Sequence, residues 1–512
     1  MFRSVPPQSS ISDRELEGGM RALVLDGVFI QSHTVLTTGA FLIGFALALG
    51  ASNSVIGVLA ALGPLALAFQ IPAVYLVQRL RWRKCIVLVA ATLSRSMWLV
   101  MAAIPFVLER RLQIPVFLGA LMVHYTLGNI GGCAFNSWIR DLIPQRRLGE
   151  FFSRRMTLAT AAGALVSLGA GFGVDAWKLH LPGAPGGAAG AYVAVFLLAM
   201  GFGMLSVHQL FRAPEPVMPP GADEPFLRTL RQPLRDRNFR QVLVFLGAWN
   251  FALNFAAPFF AVYLLQRLRM DMSWVIGLTV LSQAVNVLFF QFWGRLADRF
   301  SHKAVLAVSA PLFIFSFLLW PFTTMPEQYF LTVPLLLLIH ILAGVGTAGV
   351  NLCTGNLALR LAPYGKAGAY LAVNSLVSGL TAAVSPVIAG FSADWFDSQQ
   401  LVLTLHYASA GPKGADFVMP ALDLRGLDFL FFIAFFLGLY AMHRLVTVRE
   451  EGEVKEAEVR RALLDEMGRA VRQVSTVAGV RQMIMAPFTL FRPAPAPPPE
   501  DQPSDDGDAN TS

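Results

Sequence analysis

The chain has 512 residues, 55% of them hydrophobic and 14% charged, with a mean hydropathy of +0.57. Soluble domains carry roughly a quarter charged residues, and a soluble interior cannot hide this much apolar surface, so a string of ordinary globular domains is excluded. The formal charge of +8 would suit a nucleic acid, but Arg and Lys stand in short clusters between apolar stretches, the pattern of membrane loops, and no nucleic-acid partner is expected.

A helix rises about 1.5 Å per residue, so a hydrocarbon core of about 30 Å takes about 20 apolar residues to cross. Residues 1–21 lack a basic segment leading directly into a short apolar core, so they read as a cytoplasmic N-terminal segment with no cleavage expected. Apolar stretches then begin near Ala22, Asn53, Cys85, Gln113, Met156 and Gly190, and six more near Gln241, Ser273, Ala304, Phe330, Gly368 and Leu427. The spacing predicts an all-α membrane protein of twelve transmembrane helices, arranged as an N-terminal six-helix bundle (22–211) and a C-terminal one (240–446). Between them, residues 212–239 contain APEPVMPPGADEP and read as a cytoplasmic linker. After the last span the charge pairs of VREEGEVKEAEVRRALLDEMGRAVRQV predict a surface helix, and the Pro-rich acidic end predicts disorder, giving a cytoplasmic segment over 447–512.

Orientation follows from the short loops. With the N-terminus in the cytoplasm, twenty Arg and Lys fall in cytoplasmic loops and seven in the opposite ones, which places both termini inside. Cys85, Cys133 and Cys353 are scattered among apolar neighbours without metal-ligand or pairing spacing, so neither a metal nor a cofactor is expected.

The chain also resembles itself. A shift of 220 residues aligns Val55, Ile56 and Gly57 with Val275, Ile276 and Gly277, Cys133 with Cys353, Asn136 with Asn356, and Arg140 with Arg360. An even number of helices per repeat gives two units of the same orientation, related by an axis along the membrane normal.

Between the eighth and ninth stretches stands Gly294-Arg295-Leu296-Ala297-Asp298-Arg299-Phe300-Ser301-His302-Lys303. This closely resembles the G-x-L-A-D-R-x-G-R-K/R loop of the major facilitator superfamily, and with helix count, parallel repeat and linker the resemblance covers about residues 22 to 446. It implies a gating loop of Gly294, Asp298, Arg299 and Lys303, in which Asp298 faces the start of the fifth helix near Arg154 and Arg155. The first-half copy, Tyr75 to Lys84, has Arg79 where the acid belongs and keeps only the basic tail, so the symmetrical contact lacks its carboxylate.

Ionisable groups at bilayer depth cost roughly 2.5 to 3.5 kcal/mol on insertion scales and should face a cavity or a partner. Arg95 lies about 16 Å beyond Lys84, near the midplane. Asp26 and His33 are seven residues apart and share a face of the first helix, an arrangement able to relay a proton or simply to be satisfied by neighbouring backbone. The resemblance implies a cavity lined by the first, fourth, seventh and tenth helices. Those carry Gln31 and His33, His124 and Asn129, Asn250 and Asn254, and His340 and Asn351, a candidate substrate set that also suits helix packing.

The reading that follows is a secondary active transporter, a monomer in the plasma membrane bilayer, moving a small polar solute, neutral or anionic, by alternating access with protons as coupling ion. The alternative is a transport-inactive relative acting as a membrane sensor or scaffold through its cytoplasmic tail. No H-E-x-x-H, G-x-S-x-G or intramembrane carboxylate pair supports an enzyme.

Overall fold

The computed structural model describes residues 6–181, 183, 185–218, 231–324, 327–362, 367–407 and 417–448. The surface helix and acidic tail expected beyond Val448 lie outside them, as does most of the linker. Among the described residues eleven helices are long and apolar enough to cross a membrane. They are the first span Asp13–Ala48, the third Arg83–Val107, the fourth Arg110–Leu142, the fifth Gln145–His180 and the sixth Gly187–Arg212. The seventh is Arg237–Arg267, the eighth Met272–Arg299, the ninth His302–Thr323, the tenth Thr332–Leu357, the eleventh Tyr370–Phe396 and the twelfth Asp428–Val446. A bent pair, Asn53–Phe69 with Pro72–Leu80, makes the second span if it is counted as one, the two pieces meeting at 42°.

Local chemistry fixes several helix ends. Ser12 caps the first span in a capping box with Glu15, satisfying amides that a helix start otherwise leaves bare. Asp236 starts the seventh by accepting from the amides of Asn238 and Phe239 at 2.9 and 3.1 Å. The first span breaks at Thr38, which is extended, and resumes at Gly39 with φ +59°, a conformation that a side chain would strain. Just before that break the hydroxyls of Thr34, Thr37 and Thr38 bond back to carbonyls of their own helix.

The packing repeats along the chain. In the first six spans the first lies on the fifth and sixth, the third on the fourth and sixth, and the second on the fourth. Six spans later the seventh lies on the eleventh and twelfth, the ninth on the tenth and twelfth, and the eighth on the tenth. The first six join the last six mainly through the second span on the eleventh and the fifth on the eighth, with the end of the first against the seventh.

One segment departs from the all-α expectation. Between the eleventh and twelfth spans, β1 (Gln400–Tyr407) pairs antiparallel with β2 (Phe417–Arg425), slipping register between Leu403 and Thr404. The run QLVLTLHY is short, rich in β-branched and leucine residues, and bounded by turn-like sequence, which makes it a strand rather than a loop.

On the side of the N-terminus the residues after the sixth span dock instead of leaving as a free linker. Gln8 pairs with Glu215 and Val217 through backbone hydrogen bonds, and Trp138 donates to the Pro214 carbonyl at 2.9 Å. Glu215 accepts from the Arg83 amide at 2.7 Å, while the fully buried Arg83 guanidinium also holds Asp141 and the Pro216 carbonyl. Burial pushes the Glu215 carboxyl above its ordinary range, opposed by the Lys84 and Arg83 amides and the Arg83 charge. Arg83 and Lys84, the basic tail that survives in the first-half loop, are thus side chains of the core rather than of a solvated loop.

Candidate functional site

The first six spans line an open cavity of about 350 Å³ between the first, third and fourth, reached also by Arg155 of the fifth. Its polar wall is assembled from several helices. Asp26 is 2% exposed and is held on both oxygens: Arg155 Nη2 donates to Oδ2 at 2.9 Å and the Ser206 hydroxyl donates to Oδ1. Arg155 also donates from Nε to the Leu23 carbonyl at 3.0 Å, and its guanidinium lies 5.4 Å from the Phe135 ring centre. A carboxylate so engaged is a closed unit of charge.

Arg95 is different. It is 6% exposed, and among the described residues its hydrogen bonding to protein is one bond, Nη1 to the Gly203 carbonyl at 2.9 Å. A guanidinium has five donors, and those Arg95 leaves over border the cavity. The side chain crosses directly over Gly203: a Cβ built there would stand 2.9 Å from Arg95 Cδ and 3.1 Å from His33 Nδ1.

Two histidines complete the wall. His33 Nδ1 lies 2.8 Å from the Ala199 carbonyl and His124 Nδ1 lies 2.8 Å from the Ser94 carbonyl. A carbonyl only accepts, so each Nδ1 carries the hydrogen, leaving both Nε2 atoms outside those bonds. The ring centres are 6.0 Å apart, and both rings meet Trp98 edge to face.

A second constellation lies at the ends of the spans away from the termini. The Asp394 carboxylate of the eleventh span accepts from the amides of Asn53 and Ser54 at 3.0 and 2.9 Å, capping the second span across the two halves of the chain. The Asp175 carboxylate of the fifth accepts from the amides of Met272 and Ser273 at 2.8 and 2.7 Å, capping the eighth. A carboxylate on the bare amides of a helix start meets both hydrogen-bond donors and the positive end of the helix dipole. Beside each stands a glycine one turn away, Gly171 against Ser273 and Gly390 against Ser54, where a Cβ would meet backbone at 3.3 and 2.9 Å.

The residues singled out from sequence divide. His33, His124, Asn129, Asp26 and Arg95 come together around the one cavity. Asn129 there donates to the Tyr125 carbonyl and accepts from Gln70. Gln31 faces Gly163 of the fifth span. Asn250 donates to the Leu246 carbonyl and to Ser378, and Asn254 to the Asn250 carbonyl, so this pair ties the seventh span to the eleventh. His340 bonds within its own helix and packs edge-on against Trp320, while Asn351 is exposed. In the gating loop Asp298 and Arg299 are exposed and Lys303 is buried; Arg155, the cation placed beside Asp298 by the sequence, is here engaged by Asp26.

Sequence reasoning missed Asp175, Asp394, Ser206 and Gly203. The two carboxylates had a signal, since Ala170-Gly171-Phe172 with Asp175 recurs as Ala389-Gly390-Phe391 with Asp394, at an offset of 219 rather than 220. Among the described residues no group of three or more His, Cys, Asp or Glu is placed to hold a metal ion.

The Major Facilitator Superfamily model matches residues 27–386, with a second match over 271–491. No curated protein sequence matches the chain. Among solved structures, a D-xylose–proton symporter is similar with TM-score 0.62 at 15% identity, covering 86% of this chain and 99% of that one. The nucleoside transporter NupG is similar with TM-score 0.61 at 12% identity, covering 85% and 98%. The xylose transporter XylE from E. coli in an inward open conformation is similar with TM-score 0.59 at 14% identity, covering 87% and 99%. At such identities these likenesses describe the fold.

Proposed function

This chain belongs to the major facilitator superfamily, and from that premise we propose a proton-coupled secondary active transporter of a small solute, working by rocking of residues 22–211 against 240–446. It is a multi-pass membrane protein of the secondary-transport class and not an enzyme. The repeated packing pairs support two six-helix bundles in parallel relation. With both termini cytoplasmic, as the loop charges favour, the capped ends are the outer ones and this conformation faces inward.

The observation that carries the reading is the pair of carboxylate caps. Asp175 and Asp394 fasten the halves to each other at one end, through hydrogen bonds that separate cleanly if the halves rock apart. Two such fastenings, one at each edge of the interface, favour a device that opens as a unit over a fused scaffold.

The coupling step follows from Arg155. In this state it is bound to Asp26; a proton taken by Asp26 releases it, and Asp298 of the gating loop receives it when the cytoplasmic ends close. Around that switch the solute contacts His33, His124 and Asn129 on one side. Asn250 and Asn254, with Gln31, His340 and Asn351 as outlying members, line the rest of the path by which it leaves. Gly294, Arg299 and Lys303 shape the loop. The transporter works as a monomer in the plasma membrane.

Reconstitution tests this. In proteoliposomes an imposed proton gradient is expected to drive solute flux, Asp298→Asn to slow it while leaving insertion intact, and Asp26→Asn to uncouple it. Absence of gradient-driven flux across a broad panel removes the reading and favours the sensor or scaffold alternative.

A further inference from the structure

The two halves build one contact alike and fill it differently. In the last six spans, Ile314 of the ninth lies across Gly438 of the twelfth, its Cγ1 2.7 Å from where a Cβ on that glycine would stand. In the first six, Arg95 of the third lies across Gly203 of the sixth with Cδ at 2.9 Å. Arg95 and Ile314 are 219 residues apart, the same offset that relates the two carboxylate caps. The scaffold therefore accepts a buried aliphatic side chain at this place, and a guanidinium there is not required for packing. A charge that packing does not require, at a cost of roughly 2.5 to 3.5 kcal/mol, calls for a ligand or a partner.

Among the described residues the carboxylate within electrostatic reach of Arg95 is Asp26, and it forms no hydrogen bond to Arg95. Asp26 is hydrogen-bonded to Arg155 and Ser206, and one carboxylate set against the two guanidiniums at this cavity leaves one positive charge over. It belongs to Arg95, whose unused donors face the space. Beside Arg95 the wall is flat and soft: the two imidazoles with Tyr125 offer aromatic surface, and the Nε2 atoms offer acceptors for a hydroxyl or amide.

We propose that this cavity, lying within the first six spans rather than between the halves, is the binding site of a small organic monoanion, its carboxylate on Arg95 and its body against His33, His124 and Tyr125. The geometry suits a carboxylate because a guanidinium edge presents two parallel donors to two oxygens. It suits a single charge because one positive charge is uncompensated; a dianion would leave a net negative charge at bilayer depth, and a cation would meet Arg95 and Arg155 together. This deepens the transport reading and rests on it for its physiological meaning.

Calorimetry on the purified full-length protein in nanodiscs, with benzoate and lactate as probes and benzamide and lactamide as neutral counterparts, tests the assignment. Saturable binding of at least one carboxylate, at least tenfold tighter than its amide, is expected. Arg95→Ile should abolish that binding with the thermal unfolding transition kept, because the ninth span already uses isoleucine at this place. Arg95→Lys, a point charge without the paired donors, should weaken it several-fold. Equal binding of carboxylate and amide, binding that survives Arg95→Ile, or no saturable binding by either carboxylate overturns the proposal. If Arg95→Ile fails to fold, the Arg95→Lys ratio of carboxylate to amide affinity decides, an unchanged ratio and affinity overturning it. Gradient-driven flux without carboxylate binding would sink the site and keep the transporter; carboxylate binding without flux would do the reverse.

Discussion

Arg95 on Gly203 and Ile314 on Gly438 show what the two halves share and where they part. Backbone proximity, helix pairing and the carboxylate caps are common to both, while the interior of the first six spans is charged and that of the last six is mostly apolar and aromatic. The position matching Arg155 is Asn374, and the one matching Asp26 is the buried Phe245. A duplicated scaffold has kept its edges and placed its mid-span charge in one copy, the buried Lys303 and Asp428 of the other standing at helix starts. Membrane depth makes that asymmetry informative, because unneeded charge there is costly while unneeded methyl groups are not.

The sharpest way to break this comparison is to delete matched side chains. Arg155→Ala strands Asp26 with Ser206 alone, and removing one member of a buried pair costs about 3 to 5 kcal/mol. A large fall in the unfolding midpoint and loss of flux are expected. Its counterpart Asn374 accepts, among the described residues, one 3.5 Å bond from Ser378, so Asn374→Ala should cost well under about 1 kcal/mol. Equal losses would mean that the charge is an ordinary part of the packing. Next in size is the reverse graft. Ile314→Arg puts an unpaired guanidinium among Phe313, Phe317 and Gly438, and about 2.5 to 3.5 kcal/mol of destabilisation is expected, read by the same unfolding experiment. Unchanged stability would show that the last six spans also hold an anion or water to receive it.

Much of the scaffold was legible beforehand. Runs of about 20 apolar residues marked the spans because the bilayer sets their length, and Arg95, Asp26 and His33 stood out because charge at that depth is rare. What escaped had two physical causes. Arg155 reads as a basic residue at the start of the fifth helix facing Asp298, but the fifth span begins at Gln145, more than two turns before its apolar stretch, and carries Arg155 inward to Asp26. Asp175 and Asp394 were passed over, because a carboxylate that caps another helix leaves no mark of its partner in the sequence. Periodicity can place a residue on a face, but it does not say which backbone amides come to meet it.

Those caps give the third prediction, and it concerns what the halves share. Losing one cap costs about 0.5 to 2 kcal/mol, which shifts a two-state balance several-fold toward the state in which these ends are apart. Spin labels at the exposed Leu181 and Gln266, on the outer ends of the fifth and seventh spans, should report a longer distance gaining population in Asp175→Ala. Asp394→Ala should do about the same, and the double variant about twice the free-energy shift. A strong response to one carboxylate and none to the other would show that the symmetry of the caps is geometric only.

The smallest effect belongs to a feature that only the last half possesses. The first half turns from its fifth to its sixth span within a few residues, whereas the last half interposes β1 and β2. The root of that hairpin is held by Asp423, which accepts from Arg425 Nε at 2.9 Å and Nη2 at 2.7 Å and from Gln400 at 3.1 Å. Burial pushes the Asp423 carboxyl up, but the hydrogen bonds from Arg425 and Gln400 and the Arg425 charge outweigh it and hold the group below its ordinary range. A carboxylate held low stabilises the folded form above its unfolded value of about 3.9 and gives that stability up as pH falls through its lowered folded value. Because the Arg425 side chain is 40% exposed, solvent screens the pair and the effect should stay under about 1 kcal/mol. Hydrogen exchange at the strand amides, corrected for intrinsic rates, should therefore lose protection as pH is lowered below about 4, and Asp423→Asn should be less protected at neutral pH and flat across that window. A pH dependence that persists in Asp423→Asn would transfer it to another group and remove the claim that this ion pair holds the root of the hairpin.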